Sequence, residues 1–353
     1  MCTAITMKTA DFYFGRNLDL YYHYNETVTV TPRNFKFEFR NGTVVENHYA
    51  IIGMATAING YPLYYDATNE KGLSLAGLNF PDNAVYYPES DSKENIAPFE
   101  LIPYILGLCS TVDEALAKIE NMNLWNIPFS ESFPLSPLHW ILVDRNRCVT
   151  IEPMKDGLKI YENSVGVLTN NPPFDYHMHN LANYINLTTE QPKDCFGADL
   201  KPYSLGMGSI GLPGDLSSSS RFVRATFTKI NSVSDDSEEE SVSRFFHILS
   251  SVEQVKGLNR VREDEHEYTV YSSCCNTDKG IYYYTTYENR QINAIDMNKV
   301  DLNGEKIVSF PLNKQNNFGS LHPWKLSVSK DSMMIGLIPE CLRNLDISVW
   351  ETL

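Results

Sequence analysis

The sequence predicts an α+β protein built of stacked layers. Three observations lead there: strand-like patterns dominate the first 80 residues, helical patterns then arrive in blocks instead of one after each strand, and the first strand opens at residue 3. A doubly wound parallel sheet would alternate the two, and this chain does not.

The elements follow in order. Residues 3–8 and 12–16 flank a short Lys8-Thr9-Ala10-Asp11 turn and read as a hairpin. Residues 27–30 and 35–39 alternate with period two, and 50–54 form a buried apolar run. Helices are expected near 98–108 and 111–122, the second opened by the capping pair Thr111 and Glu114. A meander comes next, with strands at 138–144, 148–153, 158–161 and 165–168. Helices return at about 174–185, 220–230 and 242–255, and a long hairpin through 267–271 and 281–284 is followed by strands at 291–297 and 306–311. The acidic run at 235–240 precedes a helix, where negative charge suits the N-terminal end of the dipole, and reads as a solvated face. The glycine-rich stretch 206–214 lacks the preceding strand and the lysine of a phosphate loop.

The totals narrow the function. The 353 residues carry a net charge of −15, which repels nucleic acid and anionic membranes, and no basic stripe relieves it. No apolar run reaches membrane-spanning length, so no membrane insertion is expected. The first residues lack a basic stretch followed by an apolar core, and the expected location is the cytoplasm. Seven scattered cysteines are odd in number and contain no CxxC pair, which favours reduced thiols over a disulfide framework. Neighbouring Cys274 and Cys275 would point to opposite faces of a strand, and His177-x-His179 has no cysteine or carboxylate cluster beside it, so neither metal nor cofactor is expected.

Cys2, directly behind Met1, carries the strongest chemical signal. Its small side chain permits removal of the methionine, leaving a thiol (ordinary pKa ~8.5) and an α-amine (~7.7–8.0) on one residue, a nucleophile and its base together. The hairpin then brings Phe14-Gly15-Arg16-Asn17-Leu18-Asp19 beside it. A guanidinium such as Arg16 favours the thiolate, and Asp19 can hold either Arg16 or the α-amine. Arg221 follows four serines near a helix start, a poor place for a cation, so its partner is expected elsewhere: Asp19, the cluster around Cys2, or an anionic substrate.

Taken with Gly77-Leu78-Asn79-Phe80-Pro81, Leu168-Thr169-Asn170-Asn171-Pro172 and Ser220-Arg221-Phe222, these motifs resemble the choloylglycine hydrolase family of N-terminal-nucleophile hydrolases, nearest its bacterial bile salt hydrolase branch. The resemblance runs from Met1 to about Pro311 and includes the stretches 62–67 and 283–287. It implies a four-layer αββα fold with two stacked, mainly antiparallel sheets. It also implies cleavage of the amide bond of glycine- or taurine-conjugated bile salts through a Cys2 thioester, and assembly as a homotetramer.

The implied catalytic set is Cys2, Arg16, Asp19, Asn79, Asn170 and Arg221, with the Asn79 backbone N–H and the Asn170 side-chain amide facing the oxyanion. Residues resembling the sterol-pocket loops of the family are Leu18, Ile58, Tyr61, Phe129, Phe133 and Leu138. One domain is expected over 1–315, with 316–353 an atypical tail. Three other readings are open. A penicillin V acylase shares the nucleophile, but that branch tends to carry tyrosine where this chain has Asn79. A Cys-His peptidase would need His139 or His247 beside a cysteine, and neither lies in a peptidase motif. A tyrosine-rich binding module would gain nothing from Cys2.

Overall fold

The computed structural model describes residues 1–316 and folds them around two antiparallel sheets; most of the expected tail, 317–353, lies outside the described residues. The first sheet runs in the order Val167–Leu168, Cys2–Lys8, Phe12–Leu20, Glu265–Asn276, Ile281–Thr286, Asn293–Asp296, with Asn259–Arg262 added on Glu265–Asn276. The second has eight strands: Gly157–Glu162, Cys148–Met154, Leu138–Val143, Ser74–Asn79, Tyr61–Asn69, Ile51–Ile58, Thr27–Thr31 and Val308–Pro311.

The central strands Ile51–Ile58, Ser74–Asn79 and Leu138–Val143 of the second sheet are apolar on both faces, and this creates the layers. Ile52, Met54, Ala76, Leu78, Ile141 and Val143 face the first sheet and join Cys2, Ala4, Phe14 and Leu18 in one core. Their alternates, Ile51, Ala55, Leu75, Trp140 and Leu142, pack instead against the helices Leu101–Leu108 and Val112–Ile119. On the far side, helices Ser218–Asn231 and Glu238–Ser250 cover the first sheet through Phe222, Phe245 and Leu249. The period of two along these central strands thus sends alternate side chains to two different cores, and with helices over the outer face of each sheet the result is αββα.

Several boundaries move. The strand expected at 12–16 extends to Leu20, the one at 35–39 shrinks to Phe37–Glu38, and the helix at 242–255 is Glu238–Ser250. The helix expected at 174–185 is α-helical only over Phe174–Leu181, continuing as a 3-10 turn at Ala182–Tyr184. Thr111 caps its helix by accepting from the Glu114 N–H at 3.2 Å, but the Glu114 carboxylate turns back to the Ser110 N–H at 2.7 Å. The acidic run is not wholly a solvated face. Glu238 begins the helix and binds Asn276, Lys279 and Tyr283, each at 2.8 Å.

Candidate active site

The hairpin register builds the site. Cys2 lies opposite Leu18 and Ala4 opposite Arg16, so the side chains of Cys2, Leu18 and Arg16 share the face turned to the second sheet. Thr3, Asn17 and Asp19 take the other face, under the helices. Gly15 has a specific reason to be glycine: a Cβ there would stand 2.0 Å from the carbonyl oxygen of Ser273 on the neighbouring strand.

Arg16 is fully buried and sits where two strands part. The ladder between Tyr61–Asn69 and Ser74–Asn79 ends at Asp66 opposite Ala76, and beyond it the guanidinium Nη1 donates to the carbonyls of Tyr65 (3.2 Å) and Gly77 (2.5 Å). Its Nη2 has no partner. Burial works against its charge, but negative charge on Cys2, Tyr271, Asp66 and Asp19 outweighs that and raises its pKa above the ordinary guanidinium value. Nearby Asp66 is buried, accepting from the hydroxyls of Tyr271 and Tyr282 at 2.6 Å each and of Ser273 at 3.2 Å.

Asp19 makes no ion pair with Arg16, which corrects one of the two partners expected for it, because the two side chains leave the strand on opposite faces. Its Oδ1 accepts from Thr269 Oγ1 at 2.7 Å, and its buried Oδ2 has no partner. Burial pushes its carboxyl up, partly offset by the terminal ammonium, Arg221, Thr269 and Arg16. The Met1 ammonium donates to the Asp19 carbonyl at 2.9 Å and pairs with Glu267, so this chain end lies on the Asp19 side.

Arg221, also fully buried, reaches past its own helix start. Its Nη1 donates to the Cys2 carbonyl at 2.5 Å and to Thr3 Oγ1 at 2.6 Å, and its Nη2 to Asn170 Oδ1 at 2.8 Å. Of the expected partners, the cluster around Cys2 is the one it bonds. Burial lowers its pKa, an effect that Asp19 and Cys2 oppose.

Asn170 ties the pieces together. Its Oδ1 accepts from the Cys2 nitrogen at 2.7 Å as well as from Arg221, and its Nδ2 donates one proton to the Asn79 carbonyl at 2.7 Å, leaving the second. Phe80 donates its N–H to Pro137, so by antiparallel alternation the N–H of Asn79, opposite Leu138, points away from that strand. One Asn170 amide thus holds the Cys2 nitrogen at its oxygen and the Asn79 carbonyl at its nitrogen.

The six apolar residues fall into two groups. Leu18 and Leu138 flank Cys2 and Asn79 by register. Tyr61, paired with Ile58 at a hairpin end, begins an aromatic chain through Phe129 (5.8 Å between ring centres) and Phe133 (6.2 Å). The chain continues through Tyr24 to Tyr65, whose carbonyl holds Arg16. Tyr24, Tyr65 and Asp66 escaped the sequence reading of the site; the only signal for the last two was the stretch 62–67, and for Tyr24 the tyrosine run after Asp19. A cavity of about 320 Å³ lined by Gln254, Thr269, Ser272 and Thr286 lies elsewhere, behind Asp19, and none of the six lines it.

The histidines are occupied otherwise. His139 meets Glu152 and the Thr169 carbonyl, each at 3.0 Å, and His247 is exposed, so neither serves Cys2 as a base. Among the described residues no group of three or more His, Cys, Asp or Glu side chains is placed to hold a metal.

A cysteine directly behind Met1, on a core strand of an αββα sandwich and on the same face as a buried guanidinium, fits the fold class of the N-terminal-nucleophile amidohydrolases. Residues 2–310 match the linear amide C–N hydrolases of the choloylglycine hydrolase family, and the chain belongs to that family. It is 55% identical over 317 residues to the bile salt hydrolase/transferase of Lactiplantibacillus plantarum, covering 89% of this chain and 98% of that one. A crystal structure of a variant conjugated bile acid hydrolase from Clostridium perfringens superposes with a TM-score of 0.85 at 38% identity, covering 91% of this chain and all of that one. The penicillin V acylase of Agrobacterium tumefaciens shares the fold at 20% identity and a TM-score of 0.70, over 88% of this chain and 92% of that one.

Proposed function

We propose that the chain hydrolyses glycine- or taurine-conjugated bile salts. The observation that carries this reading is the Asn170 amide, joined to the Cys2 nitrogen, Arg221 and the Asn79 carbonyl at once. The Cys2 thiol, on the face it shares with Arg16, passes its proton to the α-amine as the sulfur attacks the amide carbonyl. The oxyanion takes hydrogen bonds from the Asn79 N–H and the remaining Asn170 Nδ2 proton. The α-ammonium of Cys2 protonates the departing glycine or taurine nitrogen, leaving a thioester. A water then gives its proton to the α-amine and its oxygen to the acyl carbon, and the bile acid leaves as the thiol is restored.

This cycle needs a free Cys2 amine, so Met1 must be absent from the working enzyme. Once Met1 leaves, the unpartnered Asp19 Oδ2 becomes available to the new ammonium. Intact mass should be lower by one methionine, and a preparation retaining Met1 with full activity would exclude the mechanism.

The sterol half packs against Leu18, Ile58, Tyr61, Phe129, Phe133 and Leu138. Burying a few hundred Å² at ~25 cal/mol per Å² gives several kcal/mol of gross binding, which the smaller phenoxyacetyl group of penicillin V cannot match. Comparing kcat/KM for glycocholate, taurocholate and penicillin V tests the assignment. Either bile salt should lead; penicillin V ahead by tenfold or more would replace this reading with an acylase.

The partner is a second copy of this chain, assembled as a homotetramer. Between residues 185 and 210 Phe196 (92%), Leu205 (91%), Ile185 and Tyr203 are largely exposed, an apolar strip that association would cover. The six described cysteines are unpaired, as a cytoplasmic protein would have them, and no helix among the described residues is long and apolar enough to cross a membrane. The family match ends at 310, which supports one catalytic domain over 1–315 and a dispensable tail. Light scattering should give four copies for the full chain and for a form cut after residue 317, with equal kcat/KM. Lost solubility on truncation would give the tail a structural role, and a monomer would exclude the tetramer.

A further inference from the structure

Behind Asn170 lies a set of buried polar side chains that the proposed cycle does not use. His139 stacks on Phe80 with 4.3 Å between ring centres, takes Glu152 Oε1 on Nδ1 at 3.0 Å, and donates from Nε2 to the Thr169 carbonyl at 3.0 Å. Glu152 also accepts the Phe174 N–H, at 3.1 and 3.2 Å, at the start of helix Phe174–Leu181. Three residues along that helix His177, stacked on Phe222 at 4.7 Å, donates from Nε2 to the Asn170 carbonyl at 2.8 Å. A carbonyl oxygen only accepts, so Nε2 carries the proton in both rings. On the opposite side the Asn170 N–H donates to Ser218 Oγ at 2.8 Å, and that hydroxyl donates to Thr169 Oγ1 at 2.9 Å.

These contacts answer a local need. The strand Val167–Leu168 is only two residues long and stops before Thr169, so no ladder holds the next peptide groups, and buried carbonyls must find donors. A flexible donor would satisfy them without fixing them. Stacked imidazoles offer one rigid N–H each, and oxyanion donors need placement to about 0.5 Å, with ~1 Å of error costing on the order of 10² in rate.

We propose that His139 and His177, joined through Glu152, are positioning residues for amide hydrolysis: they fix the main chain of Thr169 and Asn170 so that the Asn170 amide meets the substrate oxyanion. This rests on reading Asn170 as an oxyanion donor.

The test separates positioning from general support. His177→Phe keeps the stack on Phe222 and deletes the donor, whereas His177→Gln places an amide N–H near the same point. For glycocholate, His177→Phe should lower kcat by ~10-fold or more with KM within about twofold, and His177→Gln should recover most of the loss. Cys2 alkylation by iodoacetamide, measured with Cys195 replaced by serine, should keep its rate in both, because displacement of iodide develops no oxyanion. Ser218→Ala, a smaller change that serves if His177→Phe does not fold, should show the same split more weakly. Parallel loss of kcat and alkylation, a change confined to KM, or failure of glutamine to rescue would each overturn the proposal. Asn170→Ala run alongside distinguishes the two readings: unchanged kcat there removes the oxyanion role itself, whereas a low kcat there with wild-type His177→Phe and Ser218→Ala removes only the positioning.

Discussion

Cys2→Ala is expected to reduce bile salt hydrolysis by at least ~10⁴-fold while leaving the fold intact. The side chain is 3% exposed and lies between Leu18 and the inner core, so the change removes one sulfur from a packed site without leaving a polar group unpaired. The other described cysteines cannot substitute. Burial pushes the Cys109 thiol up to about 11 and those of Cys148 and Cys275 up to about 12, and it raises Cys274 well above the ordinary thiol value, so all four are protonated near neutrality. Cys195 is exposed but stands on the outer loop. Alanine at Cys109, Cys148 or Cys195 should therefore leave kcat/KM nearly unchanged. Steady-state rates with glycocholate, checked by circular dichroism, decide this; substantial turnover by Cys2→Ala would dismiss the thioester route.

Asn170→Ala is expected to lower kcat by ~10² or more, with a smaller change in KM, since an oxyanion donor acts mainly in the transition state and is worth ~2.7–4 kcal/mol there. A second loss accompanies it. The Cys2 nitrogen, the Arg221 Nη2 and the Asn79 carbonyl all lose a partner, and each unsatisfied buried group costs ~1–3 kcal/mol. Thermal unfolding should fall as well, most at the junction of nucleophile strand and helix Ser218–Asn231. An effect confined to KM would reassign Asn170 to ground-state binding.

The legible and the hidden parts of this protein divide along one physical line. Strand period, turn residues and caps are local, so the layered α+β class, the hairpin joining Cys2 to Arg16, and the helices near 98–122 could be read from the chain. The linear motifs, compared with a known family, named the six residues Cys2, Arg16, Asp19, Asn79, Asn170 and Arg221. The stretch of strands between 51 and 79 was recognised only in outline, because its members are apolar on both faces and lose the alternation that marks a half-buried strand. Boundaries moved where tertiary contacts extended an element, as when pairing with Glu265–Asn276 carried the second strand to Leu20.

By itself the sequence supplied the candidate set, because a thiol, a guanidinium and an amide are properties of residues. Only the tertiary structure decided their partners. Alternation along Phe12–Leu20 separates Arg16 from Asp19 although three positions divide them, while folding brings Arg221 to the carbonyl of Cys2 and Asn170 to its nitrogen across more than 160 residues. The same closure made Asp66 a buried acceptor near Arg16 and brought His139 and His177, which the chain offered only as candidate base and metal ligand, to the carbonyls of Thr169 and Asn170. Side-chain direction on a strand is set locally, but what lies opposite is set by register and layer packing, and those depend on the whole chain at once.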